Sequence, residues 1–144
     1  MPIRCEIVSQ NKVVFQDEVD MVVLPGKDGQ MGILPHHAPV LTLMDYGVIT
    51  VRSKNGDQHF TVAGGIAEVQ PDQVTILADA AENVEEIDID RAMQARKRAE
   101  ESLKQATPVD EDRYLTVQAA LKRSNLRLEA AKRYRKETRS KLLD

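Results

Sequence analysis

The sequence has no tryptophan, three tyrosines, two phenylalanines and a single cysteine among 144 residues. With so few aromatic rings, a stacking platform for single-stranded nucleic acid is not expected. One cysteine, Cys5, rules out an internal disulfide framework and any multi-cysteine zinc site. No run approaches the ~18–20 apolar residues that a membrane helix needs. The opening residues Met1-Pro2-Ile3-Arg4-Cys5-Glu6 lack a signal-peptide core, and no Arg/Ser-rich segment precedes the first strand-like run. These absences point to a soluble protein of a reducing compartment. No G-x-x-x-x-G-K-[ST], no strand-borne G-x-G-x-x-G and no H-E-x-x-H is present, and no nucleophile–base pair stands out. An enzyme is therefore not expected, and no catalytic or metal-binding residue is assigned. His36 and His37 are adjacent and would face opposite sides of a regular strand, so they read as a loop-packing or partner-contact pair.

What the chain does carry is a charge divided along its length. The net charge of −3 arises from 15 acidic against 5 basic residues through Asp90, then 8 against 15 from Arg91 onward. Such a split fits two modules with different partners.

The first module reads as short strands separated by turns. Ile3–Ser9, Val13–Asp17 and Val19–Leu24 are rich in β-branched residues, and a Gly/Pro-rich loop is expected over 25–35. Gly47–Ser53 and His59–Ala63 flank Lys54-Asn55-Gly56-Asp57, and Asn-Gly tolerates positive φ at both turn residues. Pro71-Asp72 precedes a strand at Val74–Ala78. Strands at this spacing, without intervening helices, predict a β-sandwich or barrel. Gly64-Gly65 predicts a bulge or close sheet packing.

At Ile87 the period changes from two to three and four. Ala92, Ala95, Ala99, Leu103 and Ala106 form one helical face, with Asp88 as N-cap and Asp90 in the first turn. Thr107-Pro108 breaks the helix, and Asp110-Glu111-Asp112 starts a second with the face Tyr114, Val117, Leu121, Ser124, Leu128 and Ala131. The two predict an antiparallel hairpin that buries little apolar area. With Pro108 as pivot, Arg91, Arg123 and Arg127 come to one level, Arg123 and Arg127 as i,i+4 neighbours. Such a cluster needs neutralising by Glu82, Glu85, Glu86 or Asp88, or by a bound phosphate, which the planar guanidinium fork suits. The plainer reading is a cap, salt bridges and a solvated basic face. From Lys122 to Lys141 lie nine Lys/Arg and two Glu, suited to an acidic protein surface, nucleic acid or water alone.

Three stretches carry a resemblance. Gly26-Lys27-Asp28-Gly29-Gln30-Met31-Gly32-Ile33-Leu34-Pro35-His36-His37-Ala38-Pro39 and Gly64-Gly65-Ile66-Ala67-Glu68-Val69-Gln70-Pro71-Asp72-Gln73-Val74-Thr75-Ile76-Leu77-Ala78-Asp79 closely resemble the epsilon subunit of F-type ATP synthases. Ile87-Asp88-Ile89-Asp90-Arg91-Ala92 is similar to that family's I-D-x-x-R-A nucleotide motif, and Ala120–Leu128 resembles its second-helix segment. The resemblance implies a β-sandwich of about ten strands over 1–86 and a regulatory helical hairpin over 87–144. It implies a non-catalytic rotor subunit docked on the gamma subunit and the c-ring, at the cytoplasmic face of a bacterial membrane and tied to the membrane only through the complex. It also implies a mobile hairpin that inhibits ATP hydrolysis by reaching the alpha/beta head and that, in some members, is held folded by ATP. No cofactor is required and no nucleic acid is implied. By motif, the ATP contacts would be Glu82, Asp88, Arg91, Ala92, Arg123 and Arg127, and the rotor contacts Gln30, Met31 and His37. The tail from Tyr134 to Asp144 is long and basic for the family. It would engage an acidic segment of the beta subunit or stay disordered. The alternative is a stand-alone β-sandwich adaptor or small-molecule-binding module with a helical tail.

Overall fold

The computed structural model describes residues 2–105 and 111–135. Two units divide between Val84 and Glu85. The first holds eight strands: β1 (Ile3–Ser9), β2 (Lys12–Val19), β3 (Met21–Gly26), β4 (Gly29–Ile33), β5 (Val40–Ser53), β6 (Gly56–Val69), β7 (Gln73–Ala78) and β8 (Ala81–Asn83). A 3-10 turn over Val84–Glu86 leads to α1 (Ile89–Gln105) and α2 (Glu111–Tyr134) in the second unit.

The strands pair in the order β2-β1-β7-β6-β5-β3-β4, with β8 added to β6. All pairs are antiparallel except β1 with β7. The sandwich arises because β5 and β6 each run 14 residues and serve both layers. Near its start β6 pairs β8 through Phe60–Val62, and near its end it pairs β7 through Gly65–Val69. Counted by layer, the eight strands fill about ten positions, which reconciles them with the ten expected. The layers enclose Ile3, Ile7, Leu24, Ile33, Ile49, Phe60 and Ile76, all at most 1% exposed. Phe15 meets Phe60 with ring centroids 5.3 Å apart, tilted at 56°, within the favourable range for an aromatic pair.

The bend in β6 depends on Gly65. Its φ is +137°, and a Cβ there would stand 2.3 Å from the Leu77 carbonyl oxygen and 2.8 Å from Ala78 Cα. Close sheet packing at Gly64-Gly65 is thus what the structure has. Two expectations need correcting. The stretch 25–35 is no loop: β3 runs through Gly26, which pairs with Gly29, and β4 follows directly. A tight hairpin needs its glycines, so its composition mimics a loop. The β5–β6 turn is also displaced by one residue. Ser53 pairs with Gly56, leaving Lys54 and Asn55 as the loop, and only Gly56 of the Asn-Gly pair has positive φ. The two-residue turn with both φ positive instead joins β1 to β2, at Gln10 (48°) and Asn11 (65°).

In the second unit α1 and α2 pack on each other. Arg135 Nη1 donates to the Ile87 carbonyl oxygen at 2.8 Å, bringing the end of α2 to the start of α1, which makes the pair antiparallel. Among the described residues of the two helices Ala92, Ala99, Ser124, Ala130 and Ala131 are buried, all small; Ala130 lies off the expected face, while Ala95, Leu103, Val117, Leu121 and Leu128 of the expected faces are half-buried. Ser124 satisfies its hydroxyl on the Ala120 carbonyl at 2.9 Å. Tyr114, expected on the inner face, is 37% exposed. It belongs to the first turn of α2, where its hydroxyl accepts from Gln118 Nε2 at 3.1 Å. Ala106, Thr107, Pro108, Asp110 and the tail 136–144 lie outside the described residues.

Candidate functional site

Asp88 builds the start of α1. Its Oδ1 accepts the Arg91 amide at 3.1 Å and its carbonyl accepts the Ala92 amide at 3.0 Å, an N-cap as the sequence predicts. The side-chain cap takes up the Arg91 amide, one that a helix start would otherwise offer to an anion, while the Ala92 bond is the first of the helix itself. Arg91 itself is exposed, while Ala92 is fully buried. Arg91 stands four residues from Ile87 and Arg127 eight residues from Arg135. The Arg135–Ile87 bond therefore puts both in the same half of the hairpin. Arg123 lies one turn farther along α2, exposed, and Arg127 is half-buried. Glu82 belongs to the other unit, on β8, opposite Thr61, whose hydroxyl donates to the Glu82 carbonyl at 3.4 Å. A 3.9 Å ion pair joins Arg96 to Glu100 on α1.

Gln30 and Met31 sit on the edge strand β4, opposite Pro25 and Leu24, Gln30 exposed and Met31 against the core. His37 follows in the loop. Its ring nitrogen Nδ1 donates to the Ala38 carbonyl at 2.7 Å, and its amide donates to Leu34 O at 3.2 Å. His36 adopts φ +68°, uncommon for a residue other than glycine, and its amide is fixed to Pro71 O at 2.7 Å. The pair is thus loop structure pinned to the Pro71 turn. Cys5 is fully buried, and burial pushes its thiol up to about 12, so it holds no thiolate at neutral pH. Among the described residues no three His, Cys, Asp or Glu side chains gather as a metal site, and no helix is long and apolar enough to cross a membrane.

One feature escaped the sequence reading. Leu43 pairs Ile66, Ile66 pairs Leu77, Leu77 pairs Val8 and Val8 pairs Val13, a single row crossing five strands on the outer face of the sandwich. Leu43, Ile66, Leu77 and Val13 are 52%, 40%, 56% and 51% exposed, and Leu41, two residues from Leu43, is 69% exposed. A contiguous apolar patch of this kind marks a surface that is covered in an assembly. The signal was available: Val74–Ala78 is apolar at nearly every position, where a strand with one wet face alternates.

A sandwich with an exposed aliphatic row, followed by a hairpin of small residues, is the build of a subunit that works inside a larger assembly. Family models bear this out over nearly the whole chain. Residues 2–84 match the beta-sandwich domain of the ATP synthase delta/epsilon chain, and residues 85–132 match its long alpha-helix domain. The ATP synthase epsilon chain of Dehalococcoides mccartyi is 41% identical over 140 residues, covering 93% of this chain and 95% of the relative. That of Gloeobacter violaceus is 46% identical over 131 residues, covering 91% and 98%. A chain in the cryo-EM structure of the Euglena gracilis mitochondrial ATP synthase, comprising OSCP, F1 and c-ring, superposes with TM-score 0.75 at 26% identity, covering 90% of this chain and 81% of that one. The chain belongs to the ATP synthase delta/epsilon family. It is an epsilon-type subunit of the central stalk of an F-type ATP synthase, accessory to the catalytic subunits and not itself an enzyme.

Proposed function

We propose that the two units divide the work of a rotor subunit in a proton-driven synthase at the cytoplasmic face of a bacterial membrane. The sandwich, residues 1–86, docks on the gamma subunit and the c-ring. The hairpin, residues 87–144, restrains ATP hydrolysis in the alpha/beta head. The observation that carries the docking is the exposed aliphatic row from Leu43 to Val13, with Gln30, Met31 and His37 as further rotor contacts.

A second element of the reading is that ATP holds the hairpin folded through Glu82, Asp88, Arg91, Ala92, Arg123 and Arg127. What supports it is the antiparallel closure that keeps Arg91 and Arg127 in one half of the hairpin. Arginine suits a polyphosphate because its fork binds two oxygens at once. Asp88 and Ala92 serve through the cap and the packing of α1 more than through open amides. A ligand shifts two states only by its differential affinity for them. Moving a hairpin from 1:99 to 99:1 takes about 5.5 kcal/mol. Three charge-assisted contacts at ~1.5–3 kcal/mol each reach that scale.

Calorimetric titration of the full chain with ATP, with and without magnesium, tests the latch. Saturable binding near one per chain, weakened about tenfold or more by Arg91→Ala, is the expected result. An unchanged dissociation constant removes Arg91 from the site, and no binding at millimolar ATP removes the latch. Removing residues 91–144 should release ATP hydrolysis in the assembled synthase without blocking assembly. Hydrolysis as repressed as with the full chain would refute the regulatory role.

A further inference from the structure

We propose that the outer face of the sandwich selects a partner segment whose aliphatic ridge is flanked on both sides by lysine or arginine. The inference rests on the docking of this face proposed above and concerns the chemistry of what docks there. On one side of the aliphatic row, two residues along β5, β6, β7 and β1 and thus ~7 Å away, and three along β2 across a register shift, lies the row Leu41, Glu68, Thr75, Glu6 and Gln16, paired in that order. It holds two carboxylates and no cation. On the other side Asp45 and Asp79 line an open hollow of about 510 Å³ whose apolar wall is formed by Leu43 and Ile66 of the row itself. Gly64 and Gly65 form its floor, and a Cβ on Gly64 would stand 3.0 Å from Asp79 Oδ2. Lys27 is the one basic residue lining the hollow, its amide fixed to Leu43 O at 3.0 Å. The face therefore carries an apolar stripe between two negative margins.

The carboxylates of Glu6, Glu68, Asp45 and Asp79 beside the row disfavour an anionic lipid surface. They favour a protein segment with positive side chains on both flanks of its apolar contact, because complementary margins steer the encounter and fix the register. A second copy of the same face is disfavoured, since it would bring like margins together.

The test measures binding of the full chain to the purified gamma subunit at low and high salt. Asp45→Lys with Asp79→Lys, and separately Glu6→Lys with Glu68→Lys, should each weaken binding about tenfold and flatten its salt dependence. Thermal melts confirm folding, and the Asn and Gln versions replace any variant that misfolds. A triple variant, Leu43→Ser, Ile66→Ser, Leu77→Ser, separates the two readings. If it abolishes binding while the charge variants bind like the parent, docking stands and the charge selection is overturned. If it binds like the parent, the docking face is wrong and the selection falls with it. If the chain alone sediments as a dimer that the serine variant dissolves, the occupant is a second copy and the proposal is overturned.

Discussion

Replacing Leu43, Ile66 and Leu77 by serine should weaken docking and the fold by amounts that can be measured separately. The three side chains are 52%, 40% and 56% exposed, so about half of each is still to be covered when a partner docks. Fully burying a leucine or isoleucine is worth ~1.5–3 kcal/mol. Half of that, summed over the three, gives about 2–4 kcal/mol at the interface. At 1.4 kcal/mol per decade, affinity for the gamma subunit should fall by about 30-fold to 1,000-fold. The inner halves are already covered in the free chain, so the same serines should cost the isolated fold a comparable ~2–4 kcal/mol, read by urea unfolding with the slope unchanged. Surface-immobilised gamma subunit with the variant in solution measures the first quantity, and far-UV circular dichroism in urea the second. A loss of stability with unchanged affinity would refute the reasoning, since it would make the row part of the fold's own packing alone.

Gly65→Ala should destabilise the sandwich by about 2–5 kcal/mol, combining positive-φ strain with a Cβ driven into the Leu77 carbonyl, and urea unfolding reads it directly. Arg135→Ala should loosen the closed end of the hairpin by ~1–2 kcal/mol, seen as faster amide exchange at the start of α1 with exchange in the sandwich unchanged. Native Cys5 should resist thiol reagents at pH 8 and react at once in denaturant. Its folded-state pKa is raised, to about 12 from 9.0, so the neutral thiol favours the fold. That contribution is whole below pH ~9 and is lost as pH rises toward 12, by at most ~1.4 kcal/mol per unit, which melts at stepped alkaline pH against Cys5→Ala would show.

Much of this architecture is legible in the residues. The change of period at Ile87 marks the passage from strands to helices, Asp88 is the cap, and the alanine spacing finds Ala92 and Ala99 inside. Strand lengths were harder to read. Gly47 and Gly64-Gly65 look like ends, yet β5 and β6 run through them, because a bend between layers needs the same glycine that a turn does. The strand β4 hides in a glycine-rich stretch for the same reason. The aliphatic row is not visible in any one segment, since it exists only when the register of five strands is known. The residues proposed to meet ATP rest on the family resemblance and, for the three arginines, on the hairpin pivot at Pro108. The structure contributes the closure at Arg135, a residue beyond the matched helix model at 85–132.

Because β5 and β6 thread both layers, neither layer of the sandwich can slip or peel away without breaking the two longest strands of the other. A push on one face is carried along continuous covalent chain to the opposite face, not across a greasy seam that could shear. The module is thus a stiff handle by construction. Its slowest-exchanging amides should run the length of β5 and β6 with a single protection free energy, the mark of a body that holds whole or lets go whole.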